Sequence, residues 1–136
     1  MARTGTSSVE HFVRSTLGCH CPDEMFESIV IEPLGTAGAD GTRVVVGHRL
    51  LIYVLRCADG PEAAATVTRC AAVGIAERDA RQFNRFRLVV AWPRPAPVAA
   101  DAELAFAHVA RDDERAHLHV VGVDQLPDAL RSHRPD

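Results

Sequence analysis

Two thiols, an imidazole and a proline stand together in Cys19-His20-Cys21-Pro22, a concentration of reactive groups found nowhere else in the sequence. Thiolate is the reactive form of cysteine, and a helix N-terminus favours it through peptide dipoles and free N–H groups. Pro22 fits a first helical position and Asp23 and Glu24 an acid-rich first turn, so Cys21 is the expected N-cap of a short helix through Glu27. Those two carboxylates oppose a second negative charge, which leaves the net effect on the thiols unsigned. A disulfide across Cys-x-Cys spans Cα atoms roughly 5.5 to 7 Å apart and forms only under strain, so it would be oxidising and labile.

Cys19, Cys21 and His20 are also candidate metal ligands. Tetrahedral zinc or an iron–sulfur cluster normally takes four protein ligands, so more must come from elsewhere. Cys57 is the expected addition, because it follows an apolar strand at the end where open α/β sheets gather their ligands. The expectation is a joint sulfur within about 8 Å of the Cys57 sulfur, a gap that a metal or a modest loop motion closes. Against both kinds of chemistry stands a plainer reading, in which small buried thiols pack a corner between helices.

These residues need elements to hold them. Upstream, Val9, Phe12, Val13 and Leu17 form an apolar stripe at helical spacing, Ser7 and Glu10 have the spacing of a capping box, and Gly18 fits the C′ position. Downstream, Ser28 to Glu32 reads as a strand stopped by Pro33, and Leu34 to Thr42 as a loop turning at Asp40-Gly41. That loop is no phosphate cradle, since no Lys-Ser/Thr follows its glycines. Arg43 to Val46 is strand-like, Gly47 breaks or bulges it, and Arg49 to Arg56 resumes with the unbroken apolar run Leu50 to Leu55. A run without alternation marks a central strand covered on both faces.

Asp59 with Glu62 can cap a long helix to about Ala80, on which Ala63, Val67, Cys70 and Gly74 share one face; Cys70 is therefore expected buried. Phe86 to Trp92 is a further strand, closed by a connection from Pro93 to Pro97. Asp101 fits the cap of the next helix, with Ala102, Ala105, Phe106 and Val109 inward, and His117 to Val123 is the last strand before a helical turn between Asp124 and Leu130. The order implies a single-domain α/β sandwich over residues 7–131, with a mostly parallel four-stranded sheet, two right-handed crossovers, an N-terminal helix and a helix–turn joint. Residues 1–6 are expected frayed and 132–136 a polar tail.

Length and composition fit one domain: 136 residues, 47% of them hydrophobic, are enough to bury a core without disulfide staples. A net charge of −3 without a block of one sign, and few aromatics, disfavour a nucleic-acid partner. All basic residues are Arg, which reads as coding bias rather than as a demand for anion binding. Met1 to Ser8 lacks an apolar leader and Leu50 to Leu55 is too short to cross a bilayer, so the expectation is a cytoplasmic protein without a membrane partner. Cysteines at 19, 21, 57 and 70 form no secreted disulfide pattern.

Secondary candidates are weaker. His117 and His119 share a strand face about 7 Å apart, within reach of one metal, although an exposed histidine face is the simpler reading. His48 and His11 carry no pattern. Arg78, Arg81, Arg85 and Arg87 around Phe83 and Phe86 could hold a phosphate or carboxylate, with Glu77 and Arg81 also spaced as a helix-surface pair. No nucleophile-elbow, zincin, Walker or dinucleotide motif is present.

Phe12-Val13-Arg14 with Leu17-Gly18-Cys19-His20-Cys21-Pro22-Asp23-Glu24-Met25-Phe26 resembles the opening of a group of small prokaryotic proteins with a Leu-Gly-Cys-x-Cys-Pro-x-Glu-x-Phe signature. That likeness implies no particular activity. Cys21-Pro22 at a helix start is also similar to the Cys-Pro-x-Pro motif of the small sulfur-carrier family, with Glu24 in place of the second proline and a helix in place of the preceding strand. The functional expectation is a thiol redox, sulfur-transfer or metal-holding protein built on the joint, acting on a small thiol or a protein partner. Its rival is a non-catalytic interaction module with structural cysteines.

Overall fold

The computed structural model describes residues 2–18, 22–34, 41–56, 63–93 and 96–131. Five strands form one sheet in sequence order: β1 (Ile29–Pro33), β2 (Gly41–Val46), β3 (Leu50–Arg56), β4 (Arg85–Trp92) and β5 (Ala116–Gly122). β1, β2 and β3 are antiparallel neighbours, whereas β3, β4 and β5 run parallel. The expected four-stranded, mostly parallel sheet is thus corrected to a five-stranded mixed one. The reason lies at Gly47-His48, which both adopt left-handed backbone (φ 60° and 58°), while the Arg49 N–H donates to the Val46 carbonyl at 3.1 Å. Two consecutive left-handed residues make the tight hairpin turn that matches strand twist, so the chain reverses where a break or bulge in one strand is expected.

Helices cover the sheet unequally. α2 (Ala63–Arg81) and α3 (Ala96–Ala110) supply the crossovers into β4 and β5 and pack on one face with Leu51, Tyr53, Leu55, Phe86, Leu88 and Trp92. α1 (Ala2–Ser15) and the short α4 (Asp128–Arg131) cover the other face with Leu50, Ile52, Val54, Val89 and Ala91. β3 is therefore central as expected, with every residue from Leu50 to Leu55 buried.

Local signals explain most element ends. Val9, Phe12, Val13 and Leu17 are buried as their spacing requires. Helical backbone nevertheless begins at Ala2, which puts Ser7 inside the helix rather than at its start, and Glu10 receives Arg14 Nε at 3.0 Å one turn on. Pro22 is the N-cap of a 3-10 turn over Asp23–Glu27, one position later than expected for the cap. Asp101 falls inside α3 rather than at its start, because Pro97 is tolerated in the first helical turn, where a missing N–H costs no bond. Among the described residues, no helix is long and apolar enough to cross a membrane.

Candidate functional site

Cys19, His20, Cys21 and Cys57 lie outside the described residues, as do Asp59 and Glu62; their described neighbours define what surrounds the joint. Upstream, α1 gives out when Thr16 and Leu17 both donate to the Phe12 carbonyl, and Gly18 turns left-handed at φ 69°. The Leu17 carbonyl, beyond the last helical turn, needs a donor, and Arg87 supplies it from the third position of β4, with Nη1 at 2.9 Å.

Arg87 is an unusual residue for its place. It faces the α1 side of β4, where the exposed Arg85 precedes it and the buried, apolar Val89 and Ala91 follow. The same Nη1 lies 2.9 Å from His119 Nε2. Arginine only donates, so this imidazole nitrogen accepts and the ring is neutral with its proton on Nδ1. Burial, then Arg87, then His117 push the His119 imidazole down to about 4. Burial and the charges of Arg87 and Arg85 also lower His117. Arg87 itself is lowered by burial and then by Arg85, and its Nε is buried without a partner. Among the described residues no carboxylate pairs with it.

Downstream, the hairpin turn at Gly47–Arg49 closes the site. Gly47 N–H donates to the Ser28 carbonyl at 2.7 Å, His48 Nε2 lies 3.2 Å from Ser28 Oγ, and a Cβ at Gly47 would stand 2.8 Å from Met25 Cβ. Arg49 in turn accepts at its carbonyl from the N–H groups of Asn84 (2.7 Å) and Arg85 (3.3 Å). Arg14 completes the surround by donating to Asp23 Oδ1 at 2.7 Å and stacking over Phe26, 4.4 Å from the ring centre. Both flanks of the joint thus sit where the parallel strands begin, amid Arg14, Arg49, Arg85 and Arg87.

Arg56, the residue before Cys57, closes β3 at the opposite end and donates to Thr42 Oγ1 and the Leu130 carbonyl, each at 2.9 Å. Seven residues of strand separate the two ends by about 20 Å.

The remaining candidates divide. Cys70 is fully buried on α2, and burial raises its thiol above the ordinary range, the opposite of activation. The Arg78 to Arg87 group is split by the sheet. Arg78 is 3% exposed and donates to both oxygens of Asp113 (3.0 and 2.7 Å) and to Asp79 (3.0 Å), which makes it scaffold. Arg81 reaches Glu77 at 3.7 Å, while Arg85 and Arg87 face the other side. Glu77 is further held by Arg43 and the Tyr53 hydroxyl; burial pushes its carboxyl up, but these bonds outweigh it and keep it below the ordinary value. A cleft of about 540 Å³ borders Arg49, Arg78, Arg115 and Asn84 on this rim. His117 and His119 are half-buried rather than an exposed face, and the bond from Arg87 occupies Nε2 of His119. Among the described residues, no group of three or more His, Cys, Asp or Glu could hold a metal ion.

Arg87 and His119 are what sequence reading missed in combination. The available signal was a charged residue inside the apolar strand Phe86 to Trp92, opposite a histidine strand. Comparisons of the chain with protein-family models, curated proteins and solved structures return no match.

Proposed function

We propose that this protein performs thiol chemistry, redox or sulfur transfer, with Cys19 and Cys21. The supporting observation is Arg87: a partly buried guanidinium, without a carboxylate partner among the described residues, bonded to the carbonyl two residues before Cys19. A cation so placed favours a thiolate nearby and disfavours a bound dication. In the redox form, one thiolate attacks a sulfur of a substrate disulfide and expels the first substrate thiolate. The second cysteine then attacks the mixed disulfide and expels the other. Cys19 and Cys21 lose two electrons, the substrate gains two, and solvent protonates the released thiolates according to pH.

Zinc or an iron–sulfur cluster on Cys19, Cys21, His20 and Cys57 is the metal form of the reading; the cationic rim favours free thiols over it. The interaction-module reading also has an observation in its favour, since Arg87 caps the carbonyl end of α1, a purely structural service.

Equilibration of the whole protein with a small thiol–disulfide mixture, read by mass on the peptide carrying residues 19–21, separates these readings. Thiol chemistry predicts a mixed or internal disulfide at this peptide, lost in Cys19→Ser with Cys21→Ser. Reduced thiols throughout, or stoichiometric zinc or iron that blocks exchange until chelated, would overturn it.

A further inference from the structure

We infer that the cleft where the parallel strands begin binds a small hydroxylated molecule through a phosphate group; this stands apart from the cysteine joint. Three segments build the cleft, which measures about 540 Å³: Arg49 just before β3, Gln82 to Asn84 between α2 and β4, and Arg115 just before β5. Backbone bonds lock them together. The Arg49 carbonyl accepts from the N–H groups of Asn84 and Arg85, the Arg115 carbonyl accepts from the Phe86 N–H at 2.8 Å, and the Arg115 N–H donates to Asp113 Oδ1 at 2.9 Å. Gln82 holds left-handed backbone (φ 61°), a position that glycine fills without a side-chain cost, yet here it brings an amide to the cleft.

The polar groups lining this cleft are left over from folding. Among the described residues, the exposed side chains of Arg49, Gln82 and Asn84 have no hydrogen-bond or ion-pair partner. The Arg115 side chain is 51% exposed and loosely held, with Nη1 3.4 Å from the Asn84 carbonyl and Nη2 3.9 Å from Asp79 Oδ1. Arg78 is saturated by Asp113 and by Asp79 Oδ1, so it anchors Asp79 and leaves Oδ2 of that carboxylate unbonded among the described residues. With Arg78 set against Asp113 and Arg115 against Asp79, Arg49 has no counter-charge; Asp23, Glu24 and Glu27 of the neighbouring 3-10 turn and Glu114 beside Arg115 do not line the cleft. Two guanidinium groups from different strand starts, with two amides in the same cleft, suit a phosphate, whose oxygens accept from several directions. The free Asp79 oxygen repels a second anionic group and accepts from a hydroxyl, as do the amide carbonyls of Gln82 and Asn84. The size is that of a small-molecule site.

The test titrates the whole protein with inorganic phosphate, glycerol phosphate and acetate at constant ionic strength, read by the amide proton and nitrogen NMR shifts of Arg49, Gln82, Asn84 and Arg115. Phosphate should give saturable shifts centred on these four residues, and glycerol phosphate should bind more tightly. Arg49→Gln and Arg115→Gln, which leave the backbone bonds in place, should each weaken phosphate by about three- to tenfold. Arg81→Gln, 65% exposed but outside the cleft, should leave it unchanged. Gln82→Gly suits the left-handed backbone, so it should keep the fold while bringing glycerol phosphate toward the affinity of inorganic phosphate. Shifts that never saturate or spread over the whole surface, or an equal loss in Arg81→Gln, would overturn the site. Acetate bound as tightly as phosphate would overturn the phosphate assignment, and glycerol phosphate bound no more tightly than inorganic phosphate would overturn the hydroxylated ligand.

Discussion

Gly74→Ala should destabilise the protein although alanine is the better helix former. The substitution lies inside α2, where replacing glycine gains about 1 kcal/mol of helix propensity. The new Cβ, however, would stand 2.1 Å from Cζ and 2.3 Å from Cε1 of Phe86. Carbon atoms rest at about 3.5 to 4.0 Å, so the ring or the helix must move by about 1.5 Å. Phe86 has little room to yield. It is fully buried and stands edge-on to Tyr53 at 5.1 Å, and the Tyr53 hydroxyl is bonded to Glu77 on α2 itself. Overpacking of this kind costs roughly 3 kcal/mol, which leaves a net loss of about 2 after the propensity gain. Urea unfolding followed by circular dichroism should show a lower midpoint with an unchanged slope. Phe86→Leu costs stability alone, but in the Gly74→Ala background it relieves the clash, so the pair should couple favourably by about 1 kcal/mol. A Gly74→Ala protein as stable as the original, or strictly additive losses, would refute the close approach of α2 to β4.

Asp113→Asn weakens the support of an almost fully buried arginine, and should cost about 2 to 3 kcal/mol in urea, less than the 3 to 5 of a wholly orphaned charge because Asp79 still pairs with Arg78. The low-lying His119 imidazole makes the unfolded chain bind more protons between its ordinary value and about 4, so stability is full above pH 6.5 and declines as pH falls through that window. After allowance for solvent screening the decline amounts to about 1 to 2 kcal/mol, and His119→Phe should flatten that part of the stability profile. Ile52→Ala, in the middle of β3 and 1% exposed, should cost about 2 to 5 kcal/mol in the same urea assay.

The central strand, the helix stripes and the burial of Cys70 were legible because each is a periodic pattern that one face of one element must satisfy. The unbroken run Leu50 to Leu55 can be covered only from two sides, and it is. The hairpin was harder to read, since Gly47-His48 lacks the Asn-Gly or Asp-Gly wording of such turns and His48 adopts φ 58° without being glycine. Surroundings of the joint were not legible at all. Arg87 meets Leu17 across 70 positions of sequence, and only the register of β4 beneath α1 brings them together. Counting arginines near Phe83 and Phe86 grouped Arg78 with Arg87, whereas the sheet puts one in a buried carboxylate clamp and the other beside the joint.

The most direct measurement is the iodoacetamide rate of the residue 19–21 peptide at pH 7, in the folded protein, in the urea-unfolded protein and in folded Arg87→Gln. A nearby guanidinium that increases the thiolate fraction about tenfold also softens its nucleophilicity, for a net acceleration of about threefold. The folded joint should react about threefold faster than the unfolded chain, and Arg87→Gln, while remaining folded by circular dichroism, should remove most of this advantage. A joint that labels no faster folded than unfolded, or as fast without Arg87 as with it, would show that Arg87 does not activate these thiols.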